Sequence, residues 1–285
     1  MDKFIVVPNL SKDIDLKTTK YIIDYIEANN KNVYLEQNIA VELERIDIGL
    51  EDSEITREFI DCIIVLGGDG TILSTARKFS AKDIPLLGVN LGRLGFLAEV
   101  EKEDALYTID KLFKDDYKIE KRMMIECEIE RNGVIQKKEI ALNDAVITKG
   151  AFSRMLDLCV SINGEFVDVF TADGIIISTP TGSTAYNISA GGPIMVPSAQ
   201  TMVITPICSH SLKVRSIVVS KDDVVTVKVT DVDECLKKDI MLTIDGQVGF
   251  NIDENCKINI SKSQRFTKLL KTSKYTFYDI LRKKL

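Results

Sequence analysis

Gly67-Gly68-Asp69-Gly70-Thr71 sets one carboxylate among three glycines, directly after the apolar run Cys62–Leu66. Glycine lacks a Cβ, so such a segment can take positive φ and lie close against a ligand. The residues that follow, Thr71 to Phe79, carry a helical pattern, and the N–H groups at a helix start face bound phosphate. A tight strand-to-helix turn needs one or two glycines; three around an acid point to phosphate chemistry. The spacing fits neither the Walker loop nor the Gly-x-Gly-x-x-Gly fingerprint. Phosphoryl transfer needs positioning and charge neutralisation more than covalent help. Asp69 suits either of two tasks, accepting a proton from an attacking hydroxyl or holding a hard cation. Arg77 and Lys78 follow on the same predicted helix, and Arg77 is the better candidate for neutralising phosphate.

A second constellation runs from Asp173 to Pro193: a strand-like Ile175–Ser178, a run of hydroxyl residues, then Gly191-Gly192. Small hydroxyl side chains and exposed amides cannot form a core but can wrap a polar ligand. Tyr186, inside that run, argues against a plain linker. His210, the single histidine, lies in the Ile207–Leu212 segment and reads as structural, because no acid–base partner is visible beside it. A multi-histidine metal site is excluded, and the metal ligands are not assignable from the sequence.

These residues need elements to hold them. Phe4–Val7, Val33–Leu35, Cys62–Leu66 and Pro85–Val89 read as short buried strands, and Leu16 to Asn29 as a helix. Alternating strand and helix imply a parallel sheet with its ligand edge at the strand carboxyl ends. After about Lys121 the pattern changes. Asn132-Gly133 and Asn163-Gly164 each sit between strand-like runs, a hairpin signal. Further runs at Thr201–Ile207, Ile217–Ser220, Val224–Val229, Met241–Ile244 and Cys256–Ile260 make this part mostly β. Tyr275 to Leu285 reads as a helix. The expected division is residues 1–120, an α/β domain with 266–285 packed back on it, and 121–265, a β-rich domain.

Composition narrows the class. A net charge of −6 argues against a broad nucleic-acid or anionic-membrane surface. The amino terminus has too short an apolar run for a signal peptide, and no later run spans a membrane, so a cytoplasmic protein is expected. Cys62, Cys127, Cys159, Cys208, Cys235 and Cys256 form no Cys-x-x-Cys pair and read as reduced residues.

Taken in order, Gly67–Thr71, Leu91-Gly92-Arg93-Leu94-Gly95-Phe96-Leu97, Asn143-Asp144, the Asp173–Pro193 block and Asp245-Gly246-Gln247 resemble the NAD kinase family. The first motif alone is shared with diacylglycerol-type lipid kinases and phosphofructokinases; the set is far more specific. The resemblance implies a Rossmann-like amino-terminal α/β domain and a carboxy-terminal β-sandwich. It implies transfer of a phosphoryl group from ATP or polyphosphate to the adenosine ribose 2′-hydroxyl of NAD, with Mg²⁺ or another divalent cation. The partners implied are these small molecules and further copies of the chain, as a dimer or tetramer. Asp69 would be the proton acceptor, and Gly67, Gly68, Gly70, Thr71 and Arg77 would serve the phosphate chain. Asp69, Gly70, Phe96, Asn143, Asp144, Arg154, Asp173, Thr184, Ala185, Tyr186, Asn187, Ser189 and Gln247 would contact NAD. Two positions depart from the family pattern: many members carry Glu in place of Asp144, and Thr171 stands where a basic residue is common. The rival readings are a lipid kinase on the same loop and a nucleotide sensor without turnover.

Overall fold

Isoleucine, valine and leucine fill both faces of the short runs in the first ninety residues, and such runs are stable only as strands covered on both sides. A computed structural model of the chain describes residues 1–92, 94–150, 154–211, 214–230, 240–272 and 275–284. Arg93, Leu212 and Cys235 lie outside the described residues. The chain divides into two compact units, Met1–Lys121 with Phe266–Leu285, and Arg122–Arg265.

In the first unit the elements are β1 (Lys3–Pro8), α1 (Lys17–Ala28), β2 (Asn32–Glu36), α2 (Gln37–Glu42), β3 (Gly49–Leu50), β4 (Cys62–Gly67), α3 (Asp69–Lys78), β5 (Leu86–Asn90), β6 (Val100–Glu101) and α4 (Ala105–Phe113). The strands pair in parallel in the order β3-β2-β1-β4-β5, with β6 beside β5. The chain therefore builds outward from β1 in one direction and from β4 in the other. The crevice where such an order reverses, at the carboxyl ends of the strands, is where open α/β sheets bind ligands. Phe4, Val6, Ile22, Ile26, Leu35, Ile64, Leu66 and Leu87 form the core that fixes the sheet against its helices.

The second unit holds β7 (Lys118–Arg131, which starts just ahead of the boundary), β8 (Val134–Ala141), β9 (Asp144–Lys149), β10 (Leu156–Ile162), β11 (Glu165–Ala172), β12 (Gly174–Ser178), α5 (Tyr186–Ser189), β13 (Thr201–Ile207), β14 (Ile217–Ser220), β15 (Val225–Thr230), β16 (Ile240–Ile244), β17 (Val248–Ile252) and β18 (Cys256–Lys271). One sheet runs β14-β13-β12-β9-β16-β17, antiparallel throughout. In the other, β11, β10, β15 and β18 follow one another, and β7 pairs with both β18 and β8. Ile125, Ile147, Leu158, Ile177, Ile204, Val227, Leu242 and Ile258 interdigitate between the two sheets, so this unit is a β-sandwich. Its hairpins turn where expected: Asn132 and Gly133, then Asn163 and Gly164, all take positive φ, as a two-residue type I′ turn requires. From Phe266 onward β18 belongs to the first unit, within which Leu269 pairs with Leu86 of β5, and α6 (Phe277–Lys284) closes the chain. No helix among the described residues is long and apolar enough to cross a membrane.

Helix α1 starts in an unusual way. Leu16 precedes it in the left-handed region, at φ +53°, and offers no capping side chain. Asp13 supplies the cap from further upstream, accepting hydrogen bonds from Thr18 N–H at 2.8 Å, Thr19 N–H at 2.8 Å and the Thr19 hydroxyl at 2.6 Å. Burial works to raise the Asp13 pKa, but the bonds from Thr19 and Thr18 outweigh it and hold it below the ordinary carboxylate value. Asp13→Ala should therefore destabilise the protein by about 1–3 kcal/mol at neutral pH. Because the folded-state pKa is depressed, that contribution is present above about pH 4 and is lost as pH falls through the folded value. Thermal melts of wild type and variant should converge on acidification; a gap that stays constant down to pH 3 would contradict this account of the cap.

Candidate active site

Strand β4 ends at Gly67 and α3 begins at Asp69, with Gly68 as its N-cap. Gly67, Gly68 and Gly70 are all outside the positive-φ region, so the freedom expected of them is not what they supply. Their use is close approach. A Cβ on Gly67 would stand 2.3 Å from Thr71 Oγ1, and one on Gly68 would stand 2.9 Å from Lys12 Nζ. Asp69 lies in the first turn of α3, where the positive end of the helix favours an acid. Its carboxylate accepts the Phe96 N–H at 2.8 Å and the Leu97 and Ala98 N–H groups at 3.0 Å each. Gly95 permits this contact, since a Cβ there would meet Asp69 Oδ1 at 1.8 Å.

Arg77 stands in the last turn of α3. It lies roughly 12 Å along the helix from Asp69, where a cation also complements the negative end of the helix. Phe96 packs its ring 6.3 Å from that of Phe277 on α6, with Lys284 Nζ 5.0 Å above it.

Sequence reasoning missed the loop after β1. Asn9 donates from its side-chain amide to Thr71 Oγ1 at 2.8 Å, and its backbone N–H donates to Leu66 O at 2.7 Å. The Asn9 carbonyl accepts the N–H groups of Lys12 and Asp13. This loop thus rides on the glycine loop, and it carries Lys12 to Gly68. Asn-x-x-Lys just past the first strand was the available signal.

In the second unit, Asn143, Asp144, Ala185, Tyr186, Asp245 and Gly246 line a cavity of about 400 Å³. The turn at Asp245-Gly246, with φ of +51° and +64°, aims the Asp245 carboxylate back at the start of β9. There it accepts the N–H groups of Leu142 at 3.1 Å, Asn143 at 2.7 Å and Asp144 at 3.2 Å. Gly182 lets the hydroxyl-rich segment press on the same place, since a Cβ would lie 2.2 Å from Asn143 O. Asp144 is 4% exposed, and its carboxyl accepts no hydrogen bond from any described residue. Burial, with the neighbouring Asp245 charge second, pushes its pKa up to about 7. Tyr186, 45% exposed, stands at the mouth of the cavity with Ala185.

The other predicted contacts are distributed around this core. Thr184 Oγ1 donates to the Thr181 carbonyl, and Ser189 and Gln247 are exposed. Asn187 is fully buried. Its buried amide donates to Ser183 O and Pro193 O and accepts from Thr205 Oγ1, which ties the segment to β13. Asp173 forms an ion pair with Lys149 at 2.6 Å, a partner the sequence did not suggest. Arg154 is exposed, Thr171 donates its hydroxyl to Asp157, and His210 is held by its backbone N–H on Thr171 O.

Residues 4–117 match the ATP-NAD kinase N-terminal domain, and residues 142–272 match the ATP-NAD kinase C-terminal domain. The chain belongs to the NAD kinase family. Curated NAD kinases of Thermoanaerobacter sp. (strain X514) and Caldanaerobacter subterraneus subsp. tengcongensis are 43% and 44% identical to it over 285 residues, which is all of this chain and 99% of each relative. An NAD kinase from Archaeoglobus fulgidus, solved in complex with ATP, has a TM-score of 0.76 at 25% identity, covering 99% of this chain and 98% of that one. Yeast NADH kinase complexed with NADH shares the fold, with a TM-score of 0.84 at 24% identity over 99% of this chain and 86% of that one.

For this NAD kinase family member, Asp144 is a buried acid with a raised pKa, so the folded state binds its proton more tightly than the unfolded chain does. Its contribution to stability must fall as pH rises from about 4 to 7 and then level off, with a slope of about 1.4 kcal/mol per pH unit at most. Asp144→Asn removes that titration. The variant should gain stability relative to wild type between pH 5 and pH 7, in urea melts at matched temperature. Parallel stability curves for the two proteins would show that Asp144 does not titrate in this range.

Proposed function

We infer that this chain moves the terminal phosphoryl group of ATP to the 2′-hydroxyl of the adenosine ribose of NAD, giving NADP. The observation that carries this reading is Gly68-Asp69-Gly70 at the amino end of α3, at the sheet's reversal point, in a chain whose two halves both match ATP-NAD kinase domains.

The amides at the start of α3, with Gly67, Gly68, Gly70 and Thr71 around them, hold the phosphate chain. Asp69 accepts the proton of the attacking 2′-hydroxyl as its oxygen bonds to the γ-phosphorus, while the bond from that phosphorus to the β,γ-bridging oxygen breaks and ADP leaves. A carboxylate offers about four lone-pair sites, so three amide contacts fix its orientation and leave acceptor capacity for that hydroxyl. Asn143 and Asp144 grip NAD; a buried carboxyl without protein donors suits ribose hydroxyls, which supply them. Ala185 and Tyr186 wall the dinucleotide, with Tyr186 available for stacking. Gly70, Phe96, Arg154, Asp173, Thr184, Ser189 and Gln247 complete its contacts, and Asn187 keeps the hydroxyl segment in shape.

No group of three metal-ligating side chains gathers among the described residues. That fits Mg²⁺ chemistry, in which one or two carboxylates and the substrate's own phosphates hold the ion; Asp69 is the carboxylate at the loop. The cation, when bound, neutralises charge on the phosphate oxygens. The protein works in the cytoplasm, where its free cysteines stay reduced. It assembles as a homodimer or homotetramer, and Phe166, 67% exposed on the edge strand β11, supplies apolar surface for a second copy.

Incubation with NAD, ATP and Mg²⁺ should yield NADP, read with an NADP-specific dehydrogenase, and chelator should stop turnover until Mg²⁺ or Mn²⁺ is restored. Asp69→Asn should lower turnover about 10²- to 10⁴-fold, the usual worth of a general base, while calorimetric NAD affinity stays within a few-fold. No NADP from the wild-type protein would end the kinase reading. Near-normal turnover of a folded Asp69→Asn protein would reduce Asp69 to an anchor for residues 96–98.

A further inference from the structure

Lys12 is an exposed lysine whose backbone is anchored on both sides. On its amino side, Asn9 is bonded to both β4 and α3, through Leu66 O and Thr71 Oγ1. On its carboxyl side, Asp13 is buried as the cap of α1. Between these anchors the side chain runs toward the carboxyl ends of β4 and β5. Its ammonium would stand 2.9 Å from a Cβ on Gly68 and 4.0 Å from one on Gly92.

This arrangement puts a cation against the amino end of α3, which is itself positive. Like charges brought together in this way are unfavourable unless an anion joins them. The one carboxylate of the loop, Asp69, gives its oxygens to the amides of Phe96, Leu97 and Ala98. No carboxylate among the described residues pairs with Lys12. Gly68 leaves open the space beside the ammonium, which a side chain there would only push aside.

We propose that Lys12 binds the phosphate chain of the phosphoryl donor, its ammonium closing over the glycine loop at Gly68. The inference rests on the reading of Gly67–Thr71 as a phosphate loop. The ligand chemistry is an oligophosphate anion, which a nucleoside triphosphate or inorganic polyphosphate can supply. Lysine acts here as a mobile point charge, so it serves either source.

The test uses the full-length protein with Lys12→Gln and Lys12→Arg, both at an exposed position, and circular dichroism to confirm the fold. Calorimetry measures ATP, tripolyphosphate, adenosine and NAD. In Lys12→Gln, affinity for ATP and for tripolyphosphate should fall about 10- to 100-fold, as for a lost charge-assisted hydrogen bond. Adenosine and NAD affinities should hold within twofold, and Lys12→Arg should recover much of the loss. In turnover, KM for ATP should rise while KM for NAD does not, and the salt dependence of the ATP KM should flatten. A loss for ATP with none for tripolyphosphate would overturn the assignment to the phosphates, and unchanged affinity for both would overturn the proposal outright. Failure of the kinase reading is separate: it appears as absence of NADP from the wild-type protein, whatever tripolyphosphate binding does.

Discussion

Two carboxylates, Asp69 and Asp245, each gather three consecutive backbone N–H groups, and the shape of both candidate regions depends on that interaction. A charged acceptor strengthens each bond to about 1.5–3 kcal/mol, and removing it leaves buried amides unsatisfied. The effect is to fix a short piece of backbone at the margin of the regular elements. For Asp69 the frozen piece is Phe96–Ala98, kept in contact by Gly95. For Asp245 it is Leu142–Asp144, the entry to β9, with the hydroxyl segment pressed against it at Gly182. Each acid is thus a tether for a loop that its own sequence neighbourhood does not hold.

This explains which parts were legible in the sequence. Asn132-Gly133 and Asn163-Gly164 are local signals, since two residues of positive φ define the turn whatever surrounds them. The buried strands were equally plain, because apolar runs such as Cys62–Leu66 carry their own burial. The glycine loop was visible as a loop, but its physics was misread: Gly67 is needed for Thr71 to come close, and none of the three takes left-handed backbone. Helices α2 and α4 and strands β9 and β17 were not called out by pattern. Val248–Ile252 alternates half-covered residues, and Ala105–Phe113 is a short helix whose caps carry no side-chain signal.

The site shows the same boundary between local and long-range information. Asn143, Asp144, Ala185 and Tyr186 came from motifs and do share one cavity. Arg77 is near the loop in sequence and stands at the far end of α3, since a helix carries its residues along at about 1.5 Å each. Lys12 looked irrelevant because it precedes the loop by more than fifty residues, yet parallel pairing of β1 with β4 brings the two loops side by side. Lys149, the partner of Asp173, was hidden because antiparallel pairing of β9 with β12 brings together residues far apart in sequence. In a parallel sheet the residues that meet at the ligand edge come from different strands, so sequence proximity is a poor guide to them.

Asp144 and Asp245 show how the protein divides its costs. The two acids are neighbours, and the three amides all go to Asp245, which is 8% exposed and serves the backbone. Asp144 is left buried without donors, and its proton is held to about pH 7. A core selected for stability alone would exchange it for an amide or an apolar residue, because a desolvated acid beside a like charge only weakens the fold. Its retention on the wall of a cavity makes sense if the missing donors arrive with the ligand. Hydroxyl groups entering that cavity would meet an acceptor that no described protein group already satisfies. The instability is local, confined to one side chain, and lies where binding can offset it.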